Sequence, residues 1–440
     1  MKNKLSPYLM ILFSFLGVII IGTLLLLLPI STKTDSNLTF IEAFFTTVSC
    51  VCVTGLTVIE NVGETMSVFG KIVMAILIQI GGLSFLTLTV FFMTAFKVKL
   101  GISESYLMRE QLNQNSTKDL EILIGRIVKL TLVIEGLGVI INTLILYFSK
   151  ELTFNFGQSL GIGIFHTISS FNNAGFDIFG TSSSMVGYKA NLLLNISTCV
   201  LVILGGLGFV VIIDVWQKKK FKKLSLHSKI TLTTTLVLLV AGTILLKISM
   251  WDNMTILEAF FMSVSSRTAG FSSIDLAHIS NGCYAVLIVL MFIGASSGST
   301  GGGVKTSTVF VVLDFMFFYF KGKTPRAFYR KIDQNILLKS LALINFCLLF
   351  DVIMTLIICM IEQNNFSFEQ ILFEQVSAFS TTGLSMGITK SLSSASKILL
   401  CVSMFIGRVG PLTFMGLMNK HWTYESREKI KYVSEDLMIG

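Results

Sequence analysis

The sequence lacks both the charge of a soluble protein and the residue groupings of a metal centre or an enzyme. Only 13% of its 440 residues are Asp, Glu, Lys or Arg, whereas soluble domains carry about 25%, so much of the chain meets lipid. The four histidines form no HExxH or paired motif, and the seven cysteines have no CxxC spacing, which argues against a metal site. We expect the cysteines to be small core residues. No paired catalytic residues occur at helical spacing, which argues against an intramembrane enzyme.

Long apolar runs dominate what is present. Eight runs reach the length of about 20 residues that crosses a bilayer as a helix; they lie near residues 8–29, 66–96, 122–148, 189–216, 229–249, 283–318, 335–361 and 396–418. The first run is longer than the apolar part of a signal peptide, and no small-x-small cleavage site follows Pro29. We therefore interpret it as a retained transmembrane helix.

The basic residues fall in short segments before, between and after these runs. They are Lys2, Lys4, Lys97, Lys99, Arg109, the run at 217–228, those within 321–331 and the tail from Lys420. All of these segments lie on the same side of the membrane if successive runs cross it in alternating directions. The positive-inside rule assigns them to the cytoplasm, so we predict a multi-pass cell-membrane protein with both termini cytoplasmic. The net charge of +9 therefore indicates no nucleic-acid partner. The 217–228 run is alternatively a contact for anionic lipid or a protein.

A short motif occurs four times between these runs. Each copy is a Phe, nine mostly small or polar residues, and then a Gly followed by Leu or Phe. The copies are Phe45 to Gly55, Phe165 to Gly175, Phe260 to Gly270 and Phe373 to Gly383. About ten residues before each Gly suit a helix of about 15 Å, half the hydrocarbon thickness. Each copy therefore predicts a re-entrant pore helix followed by an extended strand.

The predicted fold is an all-α integral membrane protein with four helix–pore-loop–helix repeats around one central pore. It has eight transmembrane helices and four re-entrant pore helices. The repeats span residues 1–100, 101–223, 224–330 and 331–419, and a cytoplasmic tail spans 420–440.

The strands at the four glycines are the candidate ion filter. Non-helical backbone at membrane depth needs a protein or water-filled surrounding, and rings of carbonyls replace the hydration shell of a cation. The candidate residues are Cys52, Val53, Thr54, Gly55, Asn172, Asn173, Ala174, Gly175, Arg267, Thr268, Ala269, Gly270, Ser380, Thr381, Thr382 and Gly383. The filter has no carboxylate ring, which favours a monovalent ion.

Charged residues near the filter have two interpretations each. Glu60, Asp177 and Asp275 follow three of the glycines and either concentrate cations at the outer mouth or are solvated loop charges. Arg267 would repel a cation inside the pore, so we expect it behind the strand, paired with a carbonyl or an acid. Glu135 and Asp351 lie within apolar runs and are expected to bond neighbouring helices or to lie near an interface.

A glycine-rich stretch interrupts the sixth run. Five of the ten residues 294–303 are Gly, and each Gly costs a helix about 1 kcal/mol relative to Ala. We predict an intramembrane gate loop; the alternative is a kink or a close-packing site. The candidate gate residues are Ala295, Ser296, Ser297, Gly298, Ser299, Thr300, Gly301, Gly302, Gly303, Lys305 and Arg408. The two basic side chains either hold the loop by its carbonyls or snorkel to the cytoplasmic interface.

Taken together, these segments resemble the superfamily of potassium transporters that includes the bacterial Trk and Ktr membrane subunits. The most specific are Val53–Leu56, Phe171–Phe176, Arg267–Phe271, Thr381–Leu384 and Met404–Pro411. The absence of additional N-terminal helices looks like the Ktr type. Cys52 stands where many relatives carry threonine, which leaves the selectivity at that position open.

The resemblance implies more than the residues alone. It implies potassium as the transported ion, sodium as a stimulating or co-transported ion, and a homodimer with one pore per protomer. It also implies a cytoplasmic ring of nucleotide-binding regulatory subunits, and it maps the family's gate onto 295–303 and its gate arginine onto Arg408. The main alternative function is a sodium-coupled carrier of a small organic solute, which also uses broken helices.

Overall fold

The computed structural model describes residues 7–33, 38–83, 117–149, 154–180, 184–363, 365–411 and 414. The predictions about Lys2, Lys4, Lys97, Lys99, Arg109 and the tail at 420–440 concern residues outside this part. The described part is mainly helical. It also contains one β-hairpin, whose two strands have two residues each: β1 (Arg326–Ala327) and β2 (Arg330–Lys331).

The described residues form fifteen α-helices. They are α1 (Pro7–Leu26), α2 (Phe40–Val51), α3 (Val62–Thr65), α4 (Val68–Leu83), α5 (Thr117–Phe148), α6 (Phe156–Phe171), α7 (Leu192–Leu207), α8 (Phe209–Lys218), α9 (Leu226–Ser249), α10 (Ile256–Ser265), α11 (Asn281–Phe292), α12 (Thr306–Phe320), α13 (Gln334–Glu362), α14 (Phe368–Phe379) and α15 (Ser394–Val409). Each of α2, α6, α10 and α14 leads directly into one of the four glycine motifs.

These four short helices begin in the same way, with a reciprocal capping box. The caps are Thr39, Asn155, Thr255 and Ser367, and each pairs with a Glu or Gln three residues later. Such a pair satisfies two of the amide groups that a helix start leaves unbonded. The prediction of about ten helical residues holds for α10, whereas α6 has 16 residues, because its cap lies farther ahead of its glycine.

Length and composition allow three of the described helices to cross a membrane: α5 from Ile122, α9 and α13. A fourth crossing follows if α7 and α8 form one bent span. Most of the remaining helices are apolar and shorter. Large apolar side chains such as Phe13 and Ile20 are more than half exposed, as expected of a surface that faces lipid.

The predicted continuous helix over 189–216 is wrong, since α7 and α8 meet at Gly208 with a bend of 95°. Gly208 has φ +90°, a value that residues with a Cβ rarely adopt. The amide of Phe209, which the bend frees, donates to Gly298 O at 3.1 Å. A contact with a distant loop therefore stabilises the break.

The predicted break in the 283–318 run is present. Helix α11 ends at Phe292, α12 begins at Thr306, and Ile293 and Val304 pair as an isolated parallel bridge. The core lies between these elements and the short helices. The motif residues Phe45, Phe165 and Phe373 are buried in it, whereas Phe260 is only partly buried and its neighbour Phe261 is buried instead.

Candidate functional site

The four motif glycines form a closed ring. A Cβ added to Gly55 would overlap the carbonyl oxygen of Ala174, one added to Gly175 that of Ala269, one added to Gly270 that of Thr382, and one added to Gly383 that of Thr54. Each carbonyl belongs to the residue just before the next glycine, and the fourth contact returns to the first. Four segments far apart in sequence therefore meet backbone to backbone, at a distance that glycine alone permits.

We call the four stretches that end at a ring glycine the segments; in chain order they are 52–55, 172–175, 267–270 and 380–383. The backbone alternates in handedness along each segment. Two positions before the glycine, Val53, Asn173, Thr268 and Thr381 have φ of 55°, 58°, 78° and 51°, and the glycines themselves have φ of 70° to 96°. The residue between has no positive φ. A left-handed conformation is uncommon for a residue with a Cβ. Its recurrence at one position in all four segments indicates that this strained backbone conformation is functional.

The segment amides bond back to the short helices. Thr54 N donates to Ser49 O at 2.8 Å, Ala174 N to Ser169 O at 2.7 Å and Thr382 N to Ser377 O at 2.8 Å. Gly55 N and Gly383 N add bonds of 3.1 Å to the hydroxyls of Ser49 and Ser377. The donors thus face the surrounding protein.

These serines were missed by the sequence analysis. A Ser stands six residues before the glycine in three copies, and the third copy has Val264 there, with Ser265 O accepting from Ala269 N at 2.8 Å. The recurrence was visible in the sequence.

A cavity of about 400 Å³ opens on one side of the ring. All four glycines line it, as do Glu60, Asp177 and Asp275, and its lining includes no residue that precedes a glycine within the four segments. We call this cavity the vestibule. The sequence prediction that three acids lie near one mouth agrees with this placement.

The three vestibule acids differ in their pKa values and in their partners. Glu60 pairs with Lys390 at 2.8 Å and Asp275 with His278 at 2.9 Å, and in both cases this partner lowers the pKa of the carboxyl. Asp177 is only partly exposed, and burial raises its pKa to about 6. Asp177 is therefore the vestibule acid that titrates closest to neutral pH.

Two asparagines of the second segment act as braces. The side chain of Asn172 turns away from the ring and donates to Gln79 Oε1 at 2.9 Å and Glu135 Oε1 at 3.1 Å. In the amide orientation that satisfies its neighbours, Asn173 accepts from Thr268 Oγ1 at 3.2 Å. The side chain of Asn172 is thus not part of the ring surface, and Glu135 bonds two helices, as expected.

Arg267 corrects a prediction. It is buried, as expected of a residue behind its segment. Among the described residues, however, no carbonyl or acid pairs with its guanidinium, and its Nε lacks any partner. Arg267 is therefore buried without the carbonyl or acidic partner that we expected among the described residues.

The glycine-rich loop (294–303) packs against the other end of the segments. Gly302 N donates to Thr381 Oγ1 at 3.0 Å, and Gly301 packs against the side chain of Thr268. Both threonines lie two positions before a glycine, whereas the vestibule begins at the glycines. The loop and the vestibule therefore lie at opposite ends of the ring.

The two basic residues predicted for the gate hold this loop by its carbonyls. Lys305 Nζ donates to Gly301 O at 2.6 Å and to Gly302 O at 3.3 Å. Arg408 donates to Thr300 O and, through its other terminal nitrogen, to Gly81 O and to Gly82 O at 3.2 Å. Arg408 thus ties the loop to helix α4.

The remaining candidate gate residues anchor the loop at its sides. Ser296 N donates to Gly206 O at 3.1 Å, and Thr300 Oγ1 to Phe171 O at 3.3 Å. Ser297 shares a hydroxyl bond of 2.9 Å with Ser307. Ser299 donates to Ser296 O at 2.6 Å. The loop is therefore ordered by its polar contacts and is not a simple kink.

Three further glycines were missed by the sequence analysis. A Cβ on Gly81, Gly205 or Gly407 would overlap the carbonyl oxygen of Val51, Phe171 or Phe379, respectively. Each of these carbonyls lies four residues before a ring glycine. The long helices α4, α7 and α15 can approach the ends of the short helices only because these positions lack a side chain.

Two further buried acids also brace the site. Glu374 of α14 accepts from Ser385 Oγ, from Met386 N at 3.1 Å and from Thr389 Oγ1 at 3.0 Å, so it fixes the chain that follows Gly383. Asp351 accepts from Gln375 Nε2 at 3.1 Å. Among the described residues no three His, Cys, Asp or Glu side chains are grouped to hold a metal ion.

Comparison with known proteins gives consistent matches over nearly the whole chain. The TrkH family model, described as a cation transport protein, matches residues 6–422. The potassium/sodium uptake protein NtpJ of Enterococcus hirae is 36% identical, over 100% of this chain and 98% of that protein. The Ktr system potassium uptake protein B of Bacillus subtilis is 37% identical, over 99% and 97%. The crystal structure of the potassium transporter TrkH from Vibrio parahaemolyticus matches with a TM-score of 0.72 over 96% of this chain and 86% of that one, at 17% identity, which is a likeness of fold.

Proposed function

The chain belongs to the TrkH family of cation transport proteins, and we propose on this premise that it conducts dehydrated potassium ions across the cell membrane through the glycine ring. The relatives named above are potassium uptake proteins, which makes potassium the first candidate ion. The single observation that carries the proposal is the closure of the ring by four backbone contacts.

The proposed architecture has four repeats of a helix, a pore loop and a helix around one pore. Eight helical spans, several of them short or broken, would surround four re-entrant helices. The recurrence of the capping boxes, the ring glycines and the left-handed residues at matching positions supports it.

The chemistry of the proposed filter follows from its backbone. Because the segment amides bond to the short helices, carbonyl and threonine oxygens are left to face the axis, where they replace water around a cation. The short helices aim their C-terminal ends at the same region, and the partial negative charge there favours a cation. The membrane potential contributes about 2.3 kcal/mol per 100 mV to inward movement of one positive charge.

The proposed gate is the glycine-rich loop. It contacts two segments directly, so it obstructs the inner end of the ring, and the positive charges of Lys305 and Arg408 add an electrostatic barrier. Movement of this loop would open the pore.

Further parts of the proposal rest on the family. We propose a homodimer, cytoplasmic termini, lipid contact around the apolar surface, and a cytoplasmic nucleotide-binding regulatory subunit on the basic inner loops. We also propose that sodium stimulates or accompanies uptake, as the name of the Enterococcus relative suggests. No observation favours the alternative of a sodium-coupled carrier for an organic solute.

The test is ion flux through the purified protein in liposomes, comparing potassium with sodium. Gly383→Ser should reduce the potassium-to-sodium ratio about tenfold or more, because a side chain there displaces the Thr54 carbonyl from the ring, at a cost on the order of 1.4 kcal/mol or more. The matched control is Gly161→Ser on α6, where an added Cβ meets no neighbouring atom.

Equal selectivity in Gly383→Ser and Gly161→Ser would contradict the assignment of the filter. Absence of potassium flux in the unsubstituted protein, measured with the regulatory subunit present, would contradict the proposed function itself.

A further inference from the structure

The inference begins with the buried arginine of the third segment. Only 7% of the surface of Arg267 is exposed, and among the described residues its guanidinium makes no hydrogen bond or ion pair. An isolated charge inside a protein or bilayer is costly unless it is compensated. Arginine remains protonated in proteins, and the partial charge at the C-terminal end of α10 offsets only part of a full charge, so a negative group beside the guanidinium would compensate the rest.

A small cavity adjoins this guanidinium. It measures about 20 Å³, and it lies between helices α7, α9 and α10 and the start of the glycine-rich loop. Its lining residues are Val202, Ile203, Gly206, Thr235, Leu239, Val264, Arg267 and Ala295. A volume of about 10–15 Å³ suffices for one water-sized occupant. The cavity therefore has room for a single small occupant.

A second unpaired donor lines the same cavity. Thr235 is 7% exposed, and its hydroxyl has no hydrogen-bond partner among the described residues. No acidic side chain contributes to the lining. The cavity thus presents a fixed positive charge and a hydroxyl donor within otherwise apolar walls.

We propose that this cavity binds one monovalent anion of halide size, chloride under physiological conditions, between the guanidinium of Arg267 and the hydroxyl of Thr235. A water molecule would accept hydrogen bonds from the donors but leave the charge uncompensated. An anion would accept the hydrogen bonds and also compensate the charge. The small volume favours a monatomic ion over sulfate, phosphate or an organic carboxylate. The walls select for charge and size rather than for a particular shape.

The position of the site connects it to the ring and the loop. Arg267 belongs to the third segment, and Ala295 begins the stretch that is anchored by the bond of 3.1 Å from Ser296 N to Gly206 O. A bound anion neutralises a positive charge beside the path of a cation and supports the loop from behind. This functional consequence rests on the proposed potassium conduction, whereas anion binding itself does not.

Binding is tested on the purified full-length protein by thermal unfolding in potassium chloride and in potassium gluconate of equal concentration. The melting temperature should rise with the logarithm of the chloride concentration and not with gluconate. Bromide should replace chloride, and a crystal grown in bromide should show its anomalous peak between Arg267 and Thr235. Equal melting temperatures in chloride and gluconate would overturn the proposal, and so would a bromide peak at other residues only. Electron density that persists in the cavity without any halide would identify a water molecule and would also overturn it.

Substitutions assign the effect to the two donors. Arg267→Gln should abolish the chloride dependence of melting. Thr235→Val should raise the half-effective chloride concentration about tenfold, the effect of one lost hydrogen bond to a charged group. Thr234→Val is the matched control, since it makes the same change on the adjacent residue of α9, which does not line the cavity. If Arg267→Gln does not fold, the Thr235 and Thr234 pair decides: equal chloride dependence in the two contradicts the site.

Flux measurements separate the site from its consequence. Potassium flux in liposomes should be several-fold higher in chloride than in gluconate, and this ratio should approach one in Thr235→Val. If the protein conducts no potassium, the proposed function fails while the melting experiment still tests the anion site. If it conducts potassium equally in both salts, the coupling to conduction is wrong.

Discussion

At the scale of single residues, the site depends on backbone conformations that side chains ordinarily oppose. Val53, Asn173, Thr268 and Thr381 adopt positive φ although each carries a Cβ. Such conformations cost on the order of 1–3 kcal/mol each, and the ring contacts and the bonds to the short helices hold them. The sequence predicted these four residues as part of the filter but not their left-handed conformation, because nothing in the side chains of Val or Thr indicates a left-handed backbone.

The vestibule acids give a prediction about pH. Burial raises the pKa of Asp177 to about 6, so its carboxylate is charged at pH 7.5 and becomes protonated as the pH falls through about 6. Potassium flux should therefore fall about twofold over this range, because the vestibule loses one unit charge, whose attraction for a nearby cation in water is on the order of 0.5 kcal/mol. Flux assayed against external pH should lose this step in Asp177→Asn.

Asp275→Asn serves as the control for this experiment. The hydrogen bond from His278 lowers the pKa of Asp275, so this acid stays ionised over the same range. The substitution should lower flux without moving the midpoint of the pH profile. A midpoint that remains in Asp177→Asn would show that another group titrates.

At the scale of elements, two interrupted helices lie at the end of the ring opposite the vestibule. The break at 294–303 could be predicted because five glycines in ten residues exceed what a helix tolerates. The break at Gly208 was not predicted, although Gly205, Gly206 and Gly208 lie within four residues there, because glycines in an apolar run also occur at close-packed helix contacts. What produces it is the bond between Phe209 N and Gly298 O, a contact between residues that are remote in sequence.

The element scale also gives a prediction about the glycine-rich loop. Arg408→Gln removes the donors to Thr300 O and to the carbonyls of α4, so the loop loses its tie to the first quarter of the chain. Potassium flux in liposomes without any regulatory subunit should rise several-fold. Lys397→Gln is the control on the same helix, since Lys397 is half-buried and its ammonium donates to the nearby carbonyl of Lys390. Unchanged or lower flux in Arg408→Gln would contradict a closing role for the arginine.

At the scale of the whole molecule, apolar length and basic loops predicted an integral membrane protein, and membership of a transporter family supports that class. The motif spacing predicted which four segments meet. It did not predict how they meet, because the order of neighbours around the ring and the bracing by Glu135, Glu374 and Asp351 depend on contacts between distant helices.

The proposed orientation can be tested by labelling. Lys390 lines the vestibule, and Tyr329 lies fully exposed at the turn of the β1–β2 hairpin among basic residues. A membrane-impermeant maleimide should label Lys390→Cys on intact cells and Tyr329→Cys only after permeabilisation. The native cysteines give little background, since six of the seven are buried. Labelling of both positions on intact cells would contradict the assignment of the inner face.

One consequence follows from the ring being built by a single polypeptide. In a ring of identical subunits every mutation is repeated by symmetry, so a cationic side chain would appear around the axis in as many copies as there are subunits. Here the glycine segments belong to different stretches of one gene product, and Arg267 occurs in just one of them. Evolution can therefore alter one quarter of the conduit at a time, adjusting ion preference in steps too small for a symmetric assembly to take.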